Sequence, residues 1–168
     1  MTRYQLAKLV SWADRLHSRK RLQKLVYLLQ AGGCSFEVDF VLHHYGPYSD
    51  ELARLTDSMV QAGLLNEECS SSAVGEQYSY RLTDAAKKQL AEFEATNQGA
   101  LVARELSGFE RQAKELLNED LKKLEYAATI GFFHNQGCNW QEAVEKAFKF
   151  KRTPAVRAAL PLAQKVLS

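Results

Sequence analysis

The chain has 168 residues, 46% of them hydrophobic, with 22 Lys and Arg against 20 Asp and Glu for a net charge of +2. That composition supports a packed core and excludes a disordered chain, while the near balance of charge gives no chain-wide attraction for nucleic acid.

A first helix is predicted from Arg3 to Asp14, because Leu6, Leu9, Val10 and Ala13 share one face. A second runs from its N-cap at Ser18 to Gly32-Gly33, with Leu22, Leu25, Val26 and Leu29 as its core stripe. Lys20, Gln23, Lys24, Tyr27 and Gln30 fall largely on the other side. Phe36 to Tyr45 is apolar and rich in β-formers and reads as a short strand ended by Gly46-Pro47. Ser49 caps a third helix, with Asp50 and Glu51 in its first turn and Leu52, Leu55, Met59 and Val60 facing inward; Gly63 closes it. Leu64–Glu68 and Gln77–Leu82 are predicted strands around a flexible loop, Ser70 to Gly75, and Thr83 or Asp84 caps a helix to about Ala95. This order predicts a mainly α chain with a small β-hairpin: a winged-helix-like N-terminal domain over residues 1–96.

Thr96-Asn-Gln-Gly-Ala marks the boundary, and residues 97–168 read as a helical extension packed on that domain. Within it, Leu101–Leu106 is a short helix broken at Gly108, and Phe109–Leu117 and Asn118–Asn135 form two helices or one kinked rod. Gly137 sits as a helix C′ glycine. Trp140–Phe150 and Pro154–Leu167 finish the chain, with Pro161 expected to kink or shorten the last helix.

Charge is uneven. Residues 15–24 hold Arg15, Arg19, Lys20, Arg21 and Lys24 and no acid, and six bases without an acid follow from Lys146: Lys146, Lys149, Lys151, Arg152, Arg157 and Lys165. Each patch is either a solvated helix face or a local anion contact. Arg19, Lys20 and Arg21 crowd a helix N-terminus, where cations oppose the macrodipole at a cost of a few tenths to about 1 kcal/mol each. A phosphate, a partner's acid or acids elsewhere in the fold would offset that cost. The outward face of the third helix carries Asp50, Arg54, Asp57 and Gln61, and the wing tip has no Lys or Arg, a pattern unsuited to reading a major groove. Tyr45 and Tyr48, if exposed, suit a protein interface.

Chemistry finds little footing. His43 and His44, adjacent on a strand, point to opposite faces and lack a ligand partner at the right spacing, so one is expected inward and one exposed. His134 and Cys138 lie across a helix end, where nothing demands a reactive thiolate. No phosphate-binding loop, dinucleotide fingerprint, nucleophile elbow or zinc-protease motif is present. No cofactor or metal and no enzymatic activity is expected. Cys34, Cys69 and Cys138, odd in number and far apart, fit a reducing cytoplasm. Met1-Thr-Arg-Tyr-Gln does not read as a signal peptide, and no apolar run approaches the roughly 18 residues of a membrane span.

Arg21-Leu-Gln-Lys-Leu-Val-Tyr-Leu-Leu-Gln followed by Tyr45-Gly-Pro-Tyr-Ser-Asp-Glu-Leu resembles the YwgA-type uncharacterised bacterial and archaeal proteins and, more distantly, the Panacea-domain, SocA-like antitoxins. Leu124-Glu-Tyr-Ala-Ala-Thr-Ile, Gly137 and Trp140-Gln-Glu-Ala-Val-Glu-Lys-Ala resemble the C-terminal helical pair of the YwgA-type group. The resemblance implies a winged-helix-like core without known catalytic residues and, on the Panacea side, binding of a partner protein.

The expectation is a non-catalytic binding module for a protein partner, antitoxin-like or regulatory. Arg19, Lys20, Arg21, Lys24, Lys149, Lys151 and Arg152 are its candidate anion or partner contacts. Tyr45, Tyr48, Asp50, Arg54 and Asp57 form the candidate partner surface. The alternative is a DNA-binding regulator holding phosphates through the basic patches; weak, non-specific nucleic-acid contact fits either. A third reading is a small enzyme using His43, His44 or Cys138.

Overall fold

The computed structural model describes residues 1–168. Nine α-helices, one 3-10 helix and five strands follow the order α1 (Arg3–Ala13), β1 (Leu16–His17), α2 (Arg19–Ala31), β2 (Val41–His43), β3 (Gly46–Tyr48), α3 (Asp50–Gln61), β4 (Leu65–Ser72) and β5 (Gly75–Leu82). Then come α4 (Asp84–Glu94), α5 (Asn97–Ser107), α6 (Glu110–Leu117), α7 (Leu121–Asn135), α8 (Trp140–Lys151), a 3-10 turn (Pro154–Ala159) and α9 (Leu160–Leu167). The chain is mainly helical, with a small antiparallel sheet ordered β1-β5-β4 and a separate β2-β3 hairpin.

The caps explain most of the boundaries. Ser18, Ser49, Thr83 and Asn139 each accept a hydrogen bond from a first-turn backbone N–H, which supplies partners for otherwise orphaned donors. Thr96 does the same for α5, so the predicted boundary segment is a helix start tightly joined to α4. Asn118 to Asp120 separate α6 from α7, and Asp120 caps the second, so this region is two helices. Pro161 lies in the first turn of α9, where a missing N–H costs nothing; the last α-helix is shortened to Leu160–Leu167, as one of the two expectations had it, and is not kinked.

Two strand predictions need correction. Phe36 to Phe40 is not a strand; only Val41–His43 pairs, and its partner is Gly46–Tyr48, with His44-Tyr45 as the turn. Gly46-Pro47 is therefore the returning strand of a hairpin. The loop between β4 and β5 is also shorter than expected. The β4-β5 ladder continues to Ser72↔Gly75, leaving Ala73-Val74 as a two-residue turn, with Gly75 supplying a φ of +113°.

One continuous core spans the chain, drawing Leu6, Leu25 and Leu52 together with Leu124, Ile130 and Val166. Leu22, Leu25, Leu29, Leu52 and Met59 are buried as expected, whereas Leu55 is only half-buried. α2 departs most from its pattern: every residue from Leu22 to Leu29 is buried, including Gln23, Lys24 and Tyr27. Its polar side is not solvated because the β2-β3 hairpin and α7 cover it.

Candidate functional site

The start of α2 meets the β2-β3 hairpin, α3 and the middle of β5 around a cavity of about 360 Å³. Its walls include Arg19, Lys20, Lys24, Tyr45, Tyr48 and Asp57. Each element is placed by its own chemistry. Ser18 alone links β1 to α2; its φ of +83° turns the backbone sharply, and its N–H donates to the Tyr78 carbonyl at 2.7 Å. That single-residue bend brings Arg19 and Lys20 to the cavity mouth.

The hairpin is fixed from α2. The Gln23 side chain grips Ser49 by both backbone groups, accepting from its N–H and donating to its carbonyl, each at 2.9 Å. Lys24 Nζ donates to the Pro47 carbonyl at 2.6 Å. Gly46 has φ +90°, and a Cβ there would stand 2.9 Å from Thr129 Oγ1, so only glycine lets the hairpin approach α7 this closely. His43 stacks on Tyr48, with ring centroids 4.9 Å apart and planes 14° apart.

The cations divide into satisfied and unsatisfied ones. Arg19 donates to Tyr80 at 2.8 Å and Glu67 at 3.1 Å, and its guanidinium lies 3.8 Å from the Tyr78 ring centroid. Arg21 turns away from the cavity and donates to the carbonyls of Leu117 and Glu119 at 3.2 and 2.7 Å. A cation there stands at the C-terminus of α6, where the dipole favours it, so the helix-start penalty is offset within the fold. Lys151 pairs with Glu125 and donates to the His44 carbonyl at 2.8 Å. Lys149 and Arg152 are exposed and make no ion pair.

Lys20 and Lys24 are different. Lys20 Nζ sits 3.3 Å over the Tyr45 ring centroid, a cation–π contact, and pairs with no acid. Lys24 is 2% exposed, and its one hydrogen bond goes to a neutral carbonyl. Burial pushes its ammonium down to about 8; Glu125 opposes this, and Lys151 and Lys20 add to it. Lys24 and Lys151, one from each basic patch, thus share the single buried carboxylate of Glu125 as their opposite charge.

The structure therefore gathers Arg19, Lys20, Lys24, Tyr45, Tyr48 and Asp57 at one cavity, with Lys151 behind it, and leaves Arg21, Lys149, Arg152, Asp50 and Arg54 outside its walls. Asp50, Arg54 and Asp57 are exposed on α3. Lys24 is a buried wall residue, not a surface contact. Sequence reasoning missed Gln23, Thr56 and Tyr80 in the walls and Glu125 beneath them; Gln23-Lys24, two polar residues inside a core helix ahead of Gly-Pro, was the available signal. His43 and His44 are both exposed, correcting the inward-and-outward split. His134 reaches the Cys138 carbonyl through Nδ1 at 2.9 Å and stacks on Trp140 at 3.6 Å, so the pair forms a helix-end clasp and not a thiol–imidazole contact.

These features describe a mainly helical protein with a small sheet and a cationic–aromatic cavity between two helices and a hairpin. No family model matches the chain. Over 147 residues, covering 88% of this chain and 82% of the other, it is 27% identical to the "Uncharacterized protein YwgA" of Bacillus subtilis (strain 168). That similarity supports a YwgA-like kinship. No helix is long and apolar enough to cross a membrane.

Proposed function

We propose that the protein is a non-catalytic binding module of winged-helix type whose cationic–aromatic cavity receives a protein partner, in an antitoxin-like or regulatory role. The carrying observation is the cavity itself. Tyr45, 47% exposed, stands over it as an aromatic of the kind enriched at binding hot spots, beside an unpaired Lys20 free to meet an acidic group. Two further features support the reading. The order α1, β1, α2, α3 and the β4-β5 hairpin, interrupted by the β2-β3 hairpin between α2 and α3, with strand order β1-β5-β4, supports the winged-helix reading. The outer face of α3 exposes Asp50, Glu51 and Asp57, which repel phosphate and tolerate a protein surface. Three free thiols fit a reducing compartment such as the cytoplasm. The exposed, unpaired Lys149 and Arg152 favour the second reading, a DNA-binding regulator that uses phosphate contacts.

Photocrosslinking in the native host separates these readings. A benzophenone side chain at Tyr45 is expected to give a discrete protein adduct that Lys20→Glu abolishes, while the same probe at Gln89, remote on α4, gives none. Adducts with nucleic acid at Tyr45, or no adduct at all, would overturn the protein-partner reading.

A further inference from the structure

The reading of the cavity as a binding surface can be taken to the chemistry of what enters it, and the inference rests on that reading. A lysine ammonium has three N–H donors. Lys24 uses one, on the Pro47 carbonyl at 2.6 Å, although the side chain is almost wholly withdrawn from water. Its nearest acid, Glu125, is committed to Lys151 and, at 3.9 Å, to Lys122. Buried charges are normally paired, so a charged group facing a cavity with two donors unfilled is an unmet demand for an acceptor. Lys20, on the next turn of the cavity wall, has only the Tyr45 ring.

Charge fixes the valence. Glu67 neutralises Arg19. Lys20 and Lys24 remain against Asp57, which forms no ion pair. The excess is one positive charge, which suits a monovalent oxyanion; Asp57 repels a dianion and can accept from an amide N–H. The Tyr45 and Tyr48 rings give the rest of a peptide an apolar wall. We infer that this cavity binds a carboxylate carried by a peptide segment of the partner, held by Lys24 and Lys20 with Asp57 receiving a peptide N–H. The carboxylate is either an acidic side chain or a free C-terminus of the partner.

The lysine ammonium signals of the full-length protein, followed by nitrogen-detected NMR, test this with four probes. They are a blocked Tyr-Glu-Tyr peptide, a Tyr-Gln-Tyr peptide with a free C-terminus, the same Tyr-Gln-Tyr peptide blocked at both ends, and inorganic phosphate. At least one carboxylate peptide is expected to shift Lys24 and Lys20 saturably, which of the two naming the source, and the uncharged peptide is not. Lys24→Met can disturb folding, so the half-exposed Lys20→Met carries the second measurement. It should weaken carboxylate binding about tenfold, the scale of one charge-assisted hydrogen bond, while Lys87→Met on α4 changes nothing. Equal binding of the uncharged peptide, tighter binding of phosphate, or no response of Lys24 to either carboxylate would overturn the inference. Peptide binding without any Tyr45 adduct in cells would leave the carboxylate site standing and remove the protein-partner reading. A Tyr45 protein adduct with a silent Lys24 would do the reverse.

Discussion

Lys24 couples this site to pH. Its ammonium is pushed down to about 8 chiefly by burial, whereas in the unfolded state it keeps the ordinary value of 10.5. Between those values the unfolded state holds a proton that the native protein has released, so stability owed to this group rises with pH. Below about 8 both states are charged, and the cost of burying the ammonium is fully present. Other groups limit the window. Cys34 is pushed up from 9.0 to about 11 by burial, and Tyr4, Tyr27 and Tyr80 lie above their ordinary range for the same main reason. Each of these withdraws stability once pH passes its unfolded value. From about pH 8 to pH 9, then, urea unfolding of wild type against Lys24→Met should show the wild type gaining relative to the variant, by at most about 1.4 kcal/mol per unit. A difference that stays flat over this interval would mean the ammonium is not desolvated in the native state.

At the scale of elements, the hairpin and α3 are positioned by two residues of α2. Gln23 accepts from the buried Ser49 N–H and donates to the Ser49 carbonyl, which Ala53 N–H also reaches at 3.2 Å, and Ser49 in turn caps α3 by accepting from Leu52 N–H at 3.1 Å. Gln23→Ala strands the buried Ser49 N–H at the start of that helix and leaves the Ser49 carbonyl with Ala53 N–H alone. It should cost about 1–3 kcal/mol and should accelerate amide exchange at Ser49 and Leu52 before that of α1 or α7. Uniform acceleration across the molecule would show a global loss of stability without a local clip. This clip explains what the sequence could and could not convey. The Leu22-Leu25-Leu29 stripe, the Ser49 cap and the glycine stops are local signals, and the helices follow them. That the opposite face of α2 is also covered depends on a hairpin some twenty residues later and a helix a hundred residues later, contacts with no local signature. Periodicity therefore assigned Lys24 to solvent, when its ammonium is tied to Pro47 beneath the hairpin.

For the whole molecule, the fold decides which of the sequence's cations remain available to a long polyanion. The two patches hold eleven bases, but the structure removes several, Arg15 and Lys165 among them through Glu68 and Glu115. Arg19 is paired with Glu67, Arg21 faces the end of α6, Lys24 is buried, Lys151 is paired with Glu125, and Arg157 is paired with Glu145 at 3.2 Å. What remains accessible and unpaired is Lys20 beside the hairpin, with Lys146, Lys149 and Arg152 along α8 and its end. The α3 face stays acidic, and the β4-β5 turn, where Val74 is 97% exposed, carries no cation. None of that set lies on α3 or at the β4-β5 turn, and it can neutralise about three or four phosphates. DNA binding should therefore be weak and indifferent to sequence, with log affinity falling against log salt at a slope between about −3 and −4. Lys149→Glu together with Arg152→Glu should weaken binding to every duplex alike, whereas Arg21→Glu should act on stability through the end of α6. A competition between random duplexes and the protein's own upstream DNA at near-physiological salt decides the matter. A native-site preference of about a thousandfold or more would establish the DNA-binding regulator and displace the protein-partner reading.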